Sequence, residues 1–161
     1  MIKIGFIDYF LDEWHANNYP KFIAQKFGDE FKVAYAYAEI DKPNGKTTDE
    51  WCKEYGVERC DTIAEVVEKS DCIIVLSPDN PERHLDLCRE PLASGKRVYV
   101  DKTFALTKDI AQQIVDIANH AMQEGLQLID RANRYTDFRI IFLRHQGAVA
   151  VTDRFGIFAF V

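Results

Sequence analysis

Gly95-Lys-Arg-Val-Tyr-Val-Asp101-Lys102-Thr-Phe-Ala-Leu-Thr107 runs from a helix exit through a strand to the start of the next helix. Val98, Tyr99 and Val100 read as a buried strand ending on an acid and a lysine. Beyond Thr107, apolar residues fall at Ile110, Ile114, Ile117, Ala118 and Ala121, the spacing of an amphipathic helix. A charged pair at the carboxyl end of a parallel strand stands where open α/β sheets bind ligands. Lys102 is therefore a candidate working residue rather than one more surface charge.

The same alternation extends outward in both directions. Lys3–Ile7 reads as a strand ending at Asp8, and Trp14–Phe27 as a helix stopped by Gly28. Trp14, Tyr19 and Phe22 are expected to face the core from that helix. Lys32–Ala38 is a second strand, followed by Glu39 and Asp41. A Pro43-Asn-Gly45 turn leads to a helix from Thr48 that Gly56 closes. Val57–Cys60 is a brief strand, and Thr62-Ile-Ala-Glu65 has the capping-box spacing that opens a helix. Cys72–Leu76 is a strand with the exit loop Ser77-Pro78-Asp79-Asn80-Pro81. The helix expected over Glu82–Ser94 contains Pro91, which should kink or shorten it. Arg97–Val100 and Leu126–Ile129 are expected as strands flanking a Thr107–Glu124 helix. Repeated strand–helix–strand units predict an α/β domain with a doubly wound parallel sheet. The expected strand order is 3-2-1-4-5-6, with Asp8, Glu39, Ser77 and Lys102 at the carboxyl edge.

Length and charge narrow the reading. At 161 residues the chain suits one well-buried domain and not two ordinary ones. A net charge of −6 argues against a general nucleic-acid surface. The longest apolar runs, such as Cys72–Leu76, are too short to cross a bilayer, and no secretory leader is expected. Cys52, Cys60, Cys72 and Cys88 form no C-x-x-C pair and read as reduced thiols of a cytoplasmic protein. His15, His120 and His145 share no metal-ligand spacing, so no metal site is expected.

Composition changes near the carboxyl end. Residues 1–125 carry all 11 lysines, 4 arginines and 23 acids, whereas residues 126–161 carry no lysine, 5 arginines and 3 acids. Arg139–Leu143, Ala148–Val151 and Ile157–Val161 look like strands without intervening helices. The expected division is residues 1–131 and a β-rich tail over 132–161, a possible remnant of a second, substrate domain. Apolar strands of this kind need a partner, and a homo-oligomer formed through them is expected.

The ordered set Ser77-Pro78-Asp79-Asn80, His84, Gly95-Lys96 and Asp101-Lys102-Thr103 resembles the amino-terminal domain of the Gfo/Idh/MocA family of glucose–fructose oxidoreductase and inositol dehydrogenase relatives. That family carries a proline-asparagine loop, a histidine, a Gly-Lys and a strand ending in E-K-P. The resemblance covers residues 1–125 well. It implies a Rossmann-like fold that binds NAD or NADP and oxidises or reduces a sugar or cyclitol, a small-molecule substrate. It places Asp8, Glu39, Ser77, Pro78, Asp79, Asn80, His84, Asp101 and Lys102 at the cofactor. Lys102 would contact the nicotinamide ribose or the reacting hydroxyl, where an ammonium can stabilise alkoxide charge or relay a proton. His84 reads either as an exposed first-turn residue or as a support for the cofactor loop. Glu39 reads either as a ribose-binding acid that disfavours a 2′-phosphate or as a solvated strand end.

The chain departs from the family pattern at three places. The glycines of G-x-G-x-x-G would fall at Asp8, Phe10 and Glu13, so Asp8, Asp12 and Glu13 put negative charge where a pyrophosphate should approach. Thr103 stands where the family has proline, leaving the loop freer. The second domain, with its aspartate–histidine pair, is not expected within these 161 residues, as in a truncated or frame-altered relative. The alternative to an enzyme domain is a non-catalytic remnant or binding module that keeps the fold. A phosphoacceptor receiver domain is rejected by spacing, because its strand-three aspartate would fall near Cys52.

Overall fold

The computed structural model describes the backbone of residues 1–132, 141–145 and 148–152, and side chains as far as residue 121. Five parallel strands form the sheet: β1 (Ile2–Asp8), β2 (Phe31–Ala38), β3 (Glu58–Arg59), β4 (Cys72–Val75) and β5 (Arg97–Val100). Their order is β3-β2-β1-β4-β5. The helices are α1 (Trp14–Phe27), α2 (Thr48–Tyr55), α3 (Ile63–Lys69), α4 (His84–Ala93) and α5 (Lys108–Ala132). This is the Rossmann-like doubly wound arrangement, reversing direction between β1 and β4.

Period-two alternation feeds both faces of the sheet. Ile4 and Phe6 of β1 join Val33, Ala36, Ala16, Trp51 and Leu76 in one buried cluster. Ile7 joins Ile73, Val75, Val66, Leu87 and Cys88 in the other. Helices α1 and α2 therefore cover one face, and α3 and α4 the opposite one. Trp51 is wholly buried, stacks on Tyr55 at 4.5 Å and donates from Nε1 to Asn17 Oδ1 at 2.8 Å. Burying such a side chain contributes about 1.5–3 kcal/mol, and here its one polar atom is also satisfied.

Gly5 lies inside β1 at a register irregularity. A methyl group there would collide with Ser70 Oγ and Val66 Cγ1, so the missing side chain lets α3 approach the strand. Lys96 of the Gly95-Lys96 pair is structural. Gly95 takes φ +72°, and Lys96 Nζ donates to the carbonyls of Val67 and Ser70 at the end of α3, the latter at 2.6 Å.

Three expectations are corrected. Leu126–Ile129 lies in α5 rather than in a sixth strand. Met122, Leu126 and Ile129 continue the three-to-four spacing of Ile114 and Ala118, and Gly125 costs a helix only about 1 kcal/mol relative to alanine. Without a break, the strand signal yields to the helix period. Trp14 and Phe22 are 60% and 44% exposed, not core-facing, while Tyr19 packs on the core. Ala16, Tyr19 and Ile23 form the inner stripe of α1, which turns Trp14 and Phe22 outward. The helix expected from Glu82 opens instead as a 3-10 turn, Pro81–Arg83, before α4. Pro91 falls in the last turn of α4, so the one backbone bond that it removes lies near the helix end.

The pattern change after α5 gives an antiparallel pair, β6 (Ile141–His145) with β7 (Ala148–Thr152). The third expected strand, Ile157–Val161, lies outside the described residues. Among the described residues no helix is long and apolar enough to cross a membrane.

Candidate functional site

Because the strands are parallel, the ends of β1, β2, β4 and β5 meet at one edge. Asp8, Glu39, Ser77, Asp101 and Lys102 are all brought there. Asp8 ties the central strands together. Its Oδ1 accepts from Tyr9 N at 2.7 Å and from Ser77 N at 3.0 Å, while Glu39 N donates to its carbonyl at 3.1 Å. Ser77 holds φ +55°, unusual for a residue with a side chain, and its Oγ donates to Asn80 O at 2.9 Å. The Ser77–Asn80 loop is thus built to a fixed shape. Pro78 is half-buried, and Asp79 is exposed.

Asp8 is 1% exposed, and its Oδ2 has no hydrogen-bond partner among the described residues. Burial, and then the charge of Glu13, hold its carboxyl well above the usual carboxylate range. Asp8 therefore holds its proton more tightly than an ordinary carboxyl.

Glu13 occupies the start of α1. It is 4% exposed and serves as the helix's N-cap. Its Oε1 accepts from Ala16 N, and its Oε2 accepts from His15 N at 2.7 Å and meets His15 Nδ1 at 2.8 Å. An acid there satisfies otherwise unpaired first-turn amides and faces the positive end of the helix dipole. His15 Nε2 lies 3.8 Å from Asp101 Oδ2, so one ring links α1 to the end of β5. Asp101 is 1% exposed and accepts from Lys102 N at 2.8 Å, Tyr99 OH at 3.3 Å and Tyr19 OH at 3.5 Å. Burial and the Asp101 charge push Tyr99 up to about 12 and Tyr19 higher still, so both phenols remain donors.

These bonds leave Asp101 fully engaged, and Lys102 forms no ion pair among the described residues. Lys102 is exposed, and the peptide bond to Thr103 is cis. The loop beyond is held by His84, which is wholly buried. Its Nδ1 lies 3.1 Å from Phe104 O and its Nε2 2.5 Å from Leu76 O. The exposed reading of His84 is therefore not the one observed: its ring joins the exit of β4 to the loop after Lys102.

On the other side of the crevice Glu39 is engaged. Arg83 donates to it from Nη2 at 2.8 Å and from Nε at 3.1 Å, and also pairs with Asp86 at 3.0 Å. Asn80 Nδ2 donates to Glu82 Oε1 at 3.0 Å. Asp12 holds the β1–α1 turn against the loop after β2, accepting from Lys46 N and from Asn17 Nδ2, both at 3.1 Å.

Residues 16–127 match the sequence profile of Gfo/Idh/MocA, described as an oxidoreductase family with an NAD-binding Rossmann fold. The chain belongs to this family. No curated protein matches it in sequence. Among solved structures, a dehydrogenase (MviM) from Clostridium difficile shares 25% identity at a TM-score of 0.57, covering 74% of this chain and 36% of its own. The WlbA dehydrogenase from Bordetella pertussis, in complex with NADH and UDP-GlcNAcA, is similar at 16% identity and TM-score 0.61, over 75% and 34%. UDP-N-acetylglucosamine 3-dehydrogenase GnnA from Acidithiobacillus ferrooxidans is similar at 15% identity and TM-score 0.56, over 82% and 42%. The last two show the fold alone. This chain spans between a third and a half of the length of these structures.

NAD is the cofactor of the family's fold, and this crevice meets it unevenly. The edge supplies an acid after β2, a shaped loop after β4 and a lysine after β5. In such folds the pyrophosphate lies at the amino terminus of the helix after β1. Here the Glu13 carboxylate already takes the amides of that turn. A pyrophosphate does not fit there while Glu13 holds this position.

Several participants escaped the sequence reading. Glu13 stood out only as unwelcome charge, yet an acid directly before an amphipathic helix is a capping signal. Arg83 drew no attention, because a pairing 44 residues away from Glu39 leaves no local mark. The phenol donors Tyr19 and Tyr99 were likewise set by the fold.

Proposed function

We propose that this chain is the cofactor-binding domain of an NAD- or NADP-dependent dehydrogenase acting on a sugar- or cyclitol-type hydroxyl or carbonyl. Turnover requires a substrate domain beyond it, and the domain boundary falls at the end of α5, near residue 131. The observation that carries the reading is Lys102: an ammonium at the carboxyl edge with no ion pair among the described residues, its backbone anchored by a buried acid. An ammonium in that place stabilises negative charge growing on a substrate oxygen, or binds the nicotinamide ribose. Glu39 and the Ser77–Asn80 loop with His84 behind it would line the adenosine and central parts of the crevice. The setting is cytoplasmic, where Cys52, Cys60, Cys72 and Cys88 stay as free thiols.

Calorimetric titration with NADH and NADPH, repeated on Lys102→Ala, tests the reading. Binding of at least one dinucleotide, weakened about fivefold (roughly 1 kcal/mol) by the substitution, is expected. Failure of both dinucleotides and of adenosine to bind would overturn it. The alternative, a non-catalytic binding module, is favoured by the filled helix terminus at Glu13. Oxidation of NADH on a panel of keto-sugars and keto-cyclitols, once a substrate domain is supplied in trans, would exclude that alternative.

A further inference from the structure

We infer that Glu13 is the specificity-determining residue of the nucleotide site: its carboxylate is an internal stand-in for phosphate, so the crevice discriminates against ligands bearing a pyrophosphate. The inference rests on the reading of this edge as a nucleotide site.

Three observations support it. Glu13 is buried, and its two oxygens take His15 N, Ala16 N and the His15 ring, so both are engaged on the very amides an incoming phosphate would need. The His15 ring stands between Glu13 and Asp101, its Nε2 3.8 Å from Asp101 Oδ2, so the carboxylate has a side-chain neighbour besides the helix amides. Asp8, buried beside this turn, keeps an oxygen without a partner. A buried polar atom left unpaired in so polar a crevice marks a place where a ligand group belongs. That group cannot be a phosphate while Glu13 stays. The two negative charges would share one low-dielectric turn, and each would lose the amides to the other.

A dinucleotide therefore enters only by displacing Glu13, which costs affinity. A nucleoside without phosphate, reaching only the Glu39 side of the crevice, meets no such opposition. The site distinguishes ligands by phosphate charge, opposite in sense to a glycine-rich turn, which gains affinity from it.

Glu13→Ser and Glu13→Gly test this. Both residues are good helix caps, so α1 keeps its start while the carboxylate leaves, and circular dichroism confirms that each variant is folded. NADH binding is read by fluorescence and adenosine binding by ligand-observed NMR. Glu68→Ser, in the exposed last turn of α3 at the opposite edge, controls for net charge. The expected result is a wild-type NADH affinity of about 0.1–1 mM. Both Glu13 variants should tighten NADH at least tenfold, with adenosine unchanged and Glu68→Ser within twofold of wild type. NADH affinities of the folded Glu13 variants within twofold of wild type would overturn the inference, and so would an equal gain from Glu68→Ser. If adenosine and NADH bind none of the four proteins, the nucleotide reading itself fails. If adenosine binds and NADH is insensitive to Glu13, only the role of Glu13 fails.

Discussion

Arg83 grips Glu39 with two prongs, Nη2 to Oε1 at 2.8 Å and Nε to Oε2 at 3.1 Å, joining the turn after β4 to the end of β2. An acid after β2 accepts ribose hydroxyls, and an arginine beside it accommodates a 2′-phosphate. With both present and paired, the acid's charge is neutralised where the two cofactors differ.

Wild-type protein is therefore expected to distinguish NADH from NADPH by less than about tenfold, roughly 1.4 kcal/mol. Arg83→Ala should shift the ratio toward NADH about tenfold, since a charge-assisted bond to phosphate contributes about 1.5–3 kcal/mol. The pair is one-third exposed on each side, so stability should change by less than about 1 kcal/mol. Competition titration gives the ratio, and a ratio untouched by the substitution would remove Arg83 from the site.

His84 is the fastener between β4 and the Lys102 loop. His84→Ala removes the ring that stands between Leu76 O and Phe104 O in a buried place and opens a cavity, costing about 2–4 kcal/mol. Urea denaturation should show a lower midpoint with unchanged slope. Hydrogen exchange should quicken in the 101–107 loop before it does in β1. A loss below about 1 kcal/mol would mean that the ring merely fills space.

The contrast between Leu76 and Leu126 shows what can be read before folding. Cys72–Leu76 is bounded by turn residues and too short to be a helix, so its strand character was legible. Leu126–Ile129 has the same local composition but follows a periodic helix without a stop, and the longer period wins. Asp8, Glu39, Ser77 and Lys102 could be placed on one edge because strand ends follow from alternation alone. Which of them would be spent on internal bonds could not be seen. Asp101 is consumed by Tyr19, Tyr99 and its neighbour's amide, and Glu39 by Arg83, through pairings that depend on how α1 and the β4 exit dock. Trp14 and Phe22 were misplaced for the same reason, since the register of an inner stripe is a tertiary choice.

Asp8 gives the edge a pH signature. Its ordinary value is 3.8, and burial followed by the Glu13 charge raises it in the fold. The folded state therefore binds the proton more tightly than the unfolded chain. Stability from this group is complete below about pH 4 and is lost as pH rises toward the folded value. Asp8→Asn cannot ionise and can still accept from Tyr9 N and Ser77 N. Thermal melts should show Asp8→Asn more stable than wild type at pH 8, the gap closing at pH 4. A gap that widens toward acid would reverse the sign and refute the raised titration of Asp8.

The pairing of β6 with β7 sets the last expectation. It runs antiparallel from Ile141 with Thr152 to His145 with Ala148. An isolated two-stranded sheet is marginal in water, and a third strand or a packed face is needed for stability. Each strand presents a free edge among the described residues, and edges of this kind recruit further strands, often from another copy of the same chain. Residues 139–161 are rich in Ile, Val and Phe, so the apolar surface to be covered is substantial. We expect the full chain to self-associate through this segment, and a chain ending at residue 138 to be a more soluble monomer. Light scattering across micromolar concentrations decides the matter. A monodisperse full-length monomer would sink the expectation, and a dimer that survives the deletion would move the interface onto the Rossmann domain, with the exposed Trp14 and Phe22 face of α1 as the next surface to mutate.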